Sequence, residues 1–248
     1  MISRLLFALF WAVTSITPLV ANADSFLPLS CDSVIPFTKE ELLGRINPSN
    51  HPSFEAIALS FATKESMYMR KEAYEAFKKM HAAAKKDGIT LMIVSATRNF
   101  DAQKGIWERK WKRPQYEGKP DLDRIQDIMK FSSMPGTSRH HWGTDIDLNS
   151  VEPSYFLSGK GLLIYQWLSA HAPEYGYRQT YTSKINGRTG YEEEAWHWSY
   201  MPLAGPMLKA YNATIAYSDI AGFSGSASAS QARVFEEFVN GIDPELLK

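Results

Sequence analysis

The stretch Ser138-Arg139-His140-His141-Trp142-Gly143-Thr144-Asp145-Ile146-Asp147-Leu148 decides how the rest of this chain is read. Residues 141–148 alternate in the manner of a strand, with Asp145 and Asp147 on one face. The strand follows a turn-rich loop, 132–137, built around Pro135-Gly136. A second short segment, Glu194-Ala195-Trp196-His197-Trp198, has the same mixture of acid, histidine and aromatic residues. It is expected to be extended across 194–200, with a kink or bulge so that Glu194 and His197 can serve one face.

Of the six histidines, His51, His81 and His171 have no motif around them and read as structural. A catalytic zinc takes three nitrogen or carboxylate ligands and leaves a fourth position to water. Two histidines and one aspartate meet that requirement, and a chain whose only cysteine is Cys31 cannot build a thiolate site. Water activated by such a metal still needs a carboxylate to take its proton, and Glu194, three residues before His197, is placed for that role. Spacing leaves two choices open. His141 could stand in place of His140, and Asp145 in place of Asp147, because residues i and i+2 of a strand share a face.

Outward from these segments the pattern is mixed. Thr38 with Glu41 three residues on reads as a capping box, opening a helix that ends near Asn47-Pro48. Ala73, Phe77, Met80 and Ala84 recur at helical spacing over 70–86, and Asp87-Gly88 stops that helix. A buried strand over 89–94 leads to Ser95-Ala96-Thr97-Arg98. Residues 101–130 read as amphipathic helix broken near Pro114, and 161–171 as helix. A further strand is expected within 175–186, with Asn186-Gly187 as a hairpin signal. Helices over 203–216 and 230–239 flank a flexible loop at 222–226. Short strands, hairpin turns and interleaved helices predict an α+β fold: a small antiparallel sheet flanked by helices.

Apolar residues make up 44% of the chain and aromatic residues 13%, enough to bury a real core. The formal net charge is zero, which argues against a polybasic nucleic-acid binder. Residues 1–23 read as a signal peptide: a basic start, an apolar run over 5–20 and the small-x-small site Ala21-Asn22-Ala23. Cleavage there would leave a chain of about 225 residues without stable membrane insertion, exported to the periplasm or cell envelope. Cys31 has no intramolecular partner and reads as a free or buried thiol.

Ser138-x-His140-x-x-Gly143-x-x-x-Asp147 followed by Glu194-x-Trp196-His197-Trp198 resembles the double signature of the VanY-type D-alanyl-D-alanine carboxypeptidases. These belong to the zinc peptidases of the Hedgehog/DD-peptidase fold. A third block, Ser95-x-x-Arg98 with Gln103 five residues after the arginine, resembles that family's Ser-x-x-Arg-x-x-x-x-Gln stretch, and the three arrive in family order. The resemblance implies one zinc ion held by His140, Asp147 and His197, Glu194 as the base that activates water, and Arg98 as the cation near the scissile carbonyl. It implies Ser138 and Gln103 as substrate contacts, and Trp196 flanks the base closely enough to line the pocket.

On this reading, residues 24–69 are an N-terminal extension, 70–202 the zinc peptidase core and 203–248 a C-terminal helical tail packed on it. The substrate class is the stem peptide of peptidoglycan, met by a monomer, with loss of the terminal D-alanine as the reaction. L,D-carboxypeptidase or murein endopeptidase activity, and a non-catalytic zinc-binding cell-wall module, are the alternatives. One departure stands out: the family carries a small residue, often alanine, where this chain has Asp145.

Overall fold

The computed structural model describes residues 37–248, so the expectations for residues 1–23 and for Cys31 lie outside the described part. The architecture is the α+β fold expected, and a four-stranded antiparallel sheet organises it. Its strands are β3 (Ile93–Ser95), β4 (Asp145–Leu148), β5 (Tyr177–Gln179) and β6 (His197–Tyr200), in the order β3-β4-β6-β5. A separate hairpin joins β1 (Phe54–Ala56) to β2 (Tyr68–Arg70).

The sheet has two unlike faces, and the period of two in the sequence explains both. Ile146 and Leu148 of β4, with Trp198 of β6, pack into a core that includes Phe77 and Met80 of α2 (Lys71–Lys86) and Ile164 and Leu168 of α5 (Gly159–His171). Asp145, Asp147, His197 and Ser199 occupy the opposite face and are also buried. That face is covered by a second apolar core, which joins α3 (Phe100–Trp111), α4 (Asp121–Ile128) and α6 (Met201–Thr214) to the C-terminal segment. Four polar residues thus lie between two hydrophobic clusters, where each must find a hydrogen-bond partner or an ion.

Several local readings needed correction. The capping box at Thr38 is present, but α1 (Lys39–Leu42) lasts one turn, because Gly44 adopts φ +73° and redirects the chain. The Glu41 carboxylate, having capped the helix, also accepts from Arg70 at 2.7 Å, and Arg70 Nε donates to the Trp142 carbonyl at 2.8 Å. The strand expected over 141–148 begins only at Asp145. Residues Arg139–Trp142 form a 3-10 turn, closed by His141 N–H donating to Ser138 O, and Gly143 at φ +74° turns the chain into β4. A side chain at Gly143 would strike the Phe54 ring, so this turn needs glycine for space as well as for φ.

The strand expected over 194–200 begins at His197, and no bulge is involved. Instead, His197 N–H donates to Glu194 O across a turn, which brings Glu194 back beside the histidine. Asn186-Gly187 is not a hairpin. Gly187 caps a 3-10 turn, Lys184–Asn186, and β5 pairs with β6. The strand expected over 89–94 is the shorter β3.

Residues 101–130 form two helices separated at Pro114, as their pattern predicts. The helix expected over 230–239 is a single π-turn, Phe235–Val239. The loop at 222–226 is tied down: Trp107 Nε1 donates to Ser224 O, and Ser224 donates from its backbone and hydroxyl to Glu108. Among the described residues no helix is long and apolar enough to cross a membrane.

Candidate metal centre and active site

Asp147 and His197 are direct partners across β4 and β6. The 3-10 turn Arg139–Trp142 carries His140 over the same sheet face, and ligand-type atoms of His140, Asp147 and His197 lie within 4.8 Å of one another. His140 Nε2 is 3.3 Å from Asp147 Oδ2, and His197 Nδ1 is 3.2 Å from Asp147 Oδ1. The remaining ring nitrogens are held from behind: His140 Nδ1 donates to the Ala96 carbonyl at 2.8 Å, and His197 Nε2 donates to Asp145 Oδ1 at 2.9 Å. This is the arrangement by which a second hydrogen bond fixes the tautomer of a metal-binding imidazole.

The neighbours of each residue distinguish the two pairs that spacing left open. Both nitrogens of His141 are engaged away from the cluster. Nε2 accepts from Gly136 N–H at 3.0 Å and Nδ1 donates to the Arg98 carbonyl at 2.6 Å, while burial pulls the imidazole down to about 3. Asp145 and Asp147 do share a face, but Asp145 is turned inward, with 0% exposure. It accepts from Arg139 Nε at 3.0 Å, from the Thr144 hydroxyl at 2.6 Å, from the Ser199 hydroxyl and from His197. Burial opposes its charge, yet Arg139 and these donors hold its carboxyl well below the usual range. An acid so fully bonded is a support for His197, not a third ligand. Asp147 is held low in the same sense: burial raises it and the two histidines lower it further.

Arg98 stands at the edge of the cluster, with one terminal nitrogen 3.8 Å from Asp147 Oδ2. Its Nε donates to Gln103 Oε1 at 3.0 Å and Nη1 to the Ser95 hydroxyl at 2.7 Å. Gln103 donates in turn to the Ser133 carbonyl at 2.7 Å, so both ends of its amide are occupied and its direct effect is to hold the guanidinium. Glu194 Oε2 is 3.6 Å from His197 Nδ1. Burial pushes its carboxyl up to about 8, with His197 and Arg98 opposing the rise and Asp147 adding to it. His197 is pushed up to about 9: burial disfavours its charge, but hydrogen bonds to Asp145 and Asp147 outweigh that.

These groups open on a cavity of about 420 Å³. Ser138 and Trp196 line it together with Arg98, Gln103 and Glu194, so these five border one space with His140, Asp147 and His197, while Ser95, His141 and Asp145 do not reach it. Among the described residues the Ser138 hydroxyl, buried to 1% exposure, has no hydrogen-bond partner, and neither has the Tyr191 hydroxyl on the same wall. Phe131, 47% exposed, stacks on Trp196 at the cavity wall with ring centroids 6.5 Å apart. Lys110, Phe131, Tyr181 and Tyr191 are among the wall residues that escaped the sequence reading. Lys110 was legible in principle, since it follows Gln103 and Ile106 on one face of α3.

Two imidazole nitrogens and one carboxylate oxygen, converging with their outer atoms already hydrogen-bonded, form a donor set suited to zinc. Comparison with known proteins gives the same direction. Residues 66–203, more than half of the chain, match the family model described as VanY: D-alanyl-D-alanine carboxypeptidase. The Bacillus subtilis (strain 168) protein YodJ, which carries a carboxypeptidase name, is 30% identical over 148 residues, covering 58% of this chain and 51% of its own. A D-alanyl-D-alanine carboxypeptidase of Enterococcus faecalis (strain ATCC 700802 / V583) is 25% identical over 119 residues, covering 48% and 43%. The chain therefore spans about half the length of the curated relatives it matches. Among solved structures, the LD-carboxypeptidase LdcB aligns with TM-score 0.49 and 26% identity over 63% of this chain and 70% of that one. VanYB in complex with D-alanine-D-alanine aligns with TM-score 0.49 and 19% identity over 70% and 90%. On the match across 66–203, this chain belongs to the VanY D-alanyl-D-alanine carboxypeptidase family.

Proposed function

We propose that this protein is an exported zinc carboxypeptidase that removes the terminal residue from D-alanyl-D-alanine or closely related ends of peptidoglycan stem peptides. The observation that carries the reading is the placement of Glu194. A buried carboxyl tuned to about 8 sits 3.6 Å from His197, beside a three-donor cluster and facing a cavity. A structural metal site has no use for such a group, whereas a general acid–base works best with a pKa near the operating pH.

His140, Asp147 and His197 would hold the zinc. Bound there, zinc supplies Lewis acidity, polarising a carbonyl and acidifying water. Glu194 takes the proton of the attacking water and returns it to the amine of the departing residue. Arg98, braced by Ser95 and Gln103, donates to the carbonyl oxygen as negative charge develops on it. Because that brace is built before substrate arrives, little reorganisation is needed during the reaction. Ser138, with an unpartnered buried hydroxyl, and Trp196 contact the peptide. The signal-peptide pattern in residues 1–23 supports export to the periplasm or envelope, where peptidoglycan lies.

The test is incubation of zinc-loaded protein with defined pentapeptide and tetrapeptide muropeptides, followed by mass spectrometry. Loss of a single D-alanine from the pentapeptide is expected, and Glu194→Ala should retain zinc and lose the reaction. Cleavage of the tetrapeptide alone would move the activity to the L,D class. A Glu194→Ala variant releasing D-alanine at the wild-type rate would end the catalytic assignment.

A further inference from the structure

Lys110 is the cation of this cavity that has no carboxylate partner among the described residues. Arg98 leans on Asp147 and Arg139 is paired with Asp145, but the Lys110 ammonium contacts only the Ser132 hydroxyl, at 2.5 Å. Its remaining donors are uncommitted, and the side chain is half-buried in the wall. Burial lowers its pKa first and nearby Arg113 adds to that, with Glu194 opposing.

The position of this ammonium is set by two parallel contacts between α3 and one loop. Gln103, which holds Arg98, donates to the carbonyl of Ser133, while Lys110 holds the hydroxyl of the adjacent Ser132. Lys110 lies two turns beyond Gln103, and helical side chains lean back toward the N-terminus, which carries the ammonium toward Arg98. A positive charge without a carboxylate partner, on the wall of the cavity that also holds the cation facing the scissile carbonyl, is suited to receive the free end of a single departing amino acid.

We infer that Lys110, with Ser132, binds the C-terminal carboxylate of the peptide and so restricts the enzyme to removing one residue from a free end. The inference rests on the peptidase reading above and adds the residue that would make cleavage exo rather than endo. A lysine suits the task as a compact point charge with three donors that can meet a carboxylate in several orientations.

The experiment compares diacetyl-L-lysyl-D-alanyl-D-alanine with its C-terminal amide, using zinc-loaded wild type and Lys110→Met, which keeps the aliphatic stem. Wild type should favour the free acid over the amide by about tenfold or more in kcat/KM, as loss of a charge-assisted hydrogen bond implies. Lys110→Met should collapse that ratio toward one, and Lys110→Arg should restore part of it. An unchanged ratio in Lys110→Met overturns the inference. So does an equal loss on a stem pentapeptide amidated only at its C-terminus, because Lys110 would then be reading an internal carboxylate. Binding of the same pair to zinc-loaded Glu194→Ala, followed by calorimetry, separates this inference from the catalytic one. Lys110-dependent preference for the acid, without turnover by wild type, would sink the hydrolytic reading and leave the carboxylate site standing. Turnover with a Lys110-independent preference, or no binding of either peptide, would remove the carboxylate site.

Discussion

Asp145 Oδ1 lies 2.9 Å from Nε2 of His197, on the side of the imidazole opposite Asp147. The diagonal reach follows from register: Asp145 pairs with Ser199 and Asp147 with His197, so the two carboxylates flank one ring. Asp145 is in turn clamped by Arg139, Thr144 and Ser199. The residue that departs from the family pattern thus orients His197, one of the three side chains proposed to hold the metal.

Asp145→Asn should keep the shape of this clamp while losing its charge, and zinc affinity should fall by about 10–100-fold, the usual effect of removing such a support. Competition with a chelator of known affinity measures it. Asp145→Ala should do more, because it leaves Arg139 buried and unpaired, and a loss of about 3–5 kcal/mol in unfolding free energy is expected. Wild-type zinc affinity in Asp145→Asn would show that Asp145 serves only the fold.

Glu194→Gln should bind zinc as tightly as wild type and lower kcat by about 10²–10⁴, the range for a lost general base. Metal content by atomic absorption alongside steady-state kinetics separates the two effects.

Arg98→Ala should act mainly on kcat, by about 10²–10³, since its donors face charge that develops during the reaction. Ser95→Ala and Gln103→Ala, which loosen the guanidinium without removing it, should each give a smaller loss. If Arg98→Ala changes KM alone, the guanidinium binds substrate in its ground state.

Above about pH 7, where the buried His140 and His141 are neutral in the folded and unfolded chain alike, the metal-free protein should lose stability as pH rises, and zinc should bind more tightly over the same interval. His197 and Glu194 are both raised in the fold, to about 9 and about 8, from ordinary values of 6.5 and 4.5. Between the ordinary and raised values the folded chain holds protons that the unfolded chain has released, so unfolding is favoured progressively up to about pH 9. Zinc must displace the His197 proton, so its affinity rises with pH until that proton is gone. Thermal melts from about pH 7 to 9 with and without zinc should show the metal-free Tm falling and the zinc-induced increment growing.

Gly44→Ala should destabilise the protein and weaken zinc binding together. The glycine sits at φ +73°, which costs other residues about 1–2 kcal/mol, and a Cβ there would strike the His141 ring. His141 anchors the turn that carries His140, so Tm and metal affinity should move in parallel.

Much of this centre could be read from residue order. The alternation in Asp145-Ile146-Asp147-Leu148 implied a strand with two carboxylates on one face, and the three motif blocks together singled out residues that fold around one cavity: the His140, Asp147 and His197 cluster, Glu194 and Arg98. The long helix α2 and the break near Pro114 followed from local periodicity and proline chemistry, which act within a few residues.

Other features depended on contacts between segments distant in the chain, and local pattern carries no record of them. Periodicity could not rank Asp145 against Asp147, because what separates them is Arg139 and Ser199 on one side and His140 on the other. His141 could not be ranked against His140 until the Gly136 amide and the Arg98 carbonyl were seen to occupy both its nitrogens. The turn that returns Glu194 to His197 looked like a strand because its composition is that of one. Lys110 looked like an ordinary basic residue in the last turn of a helix, until folding brought Ser132 and the cavity to it. A polar group buried between two apolar cores is defined by its partners, and those partners meet only when the sheet and both cores have formed.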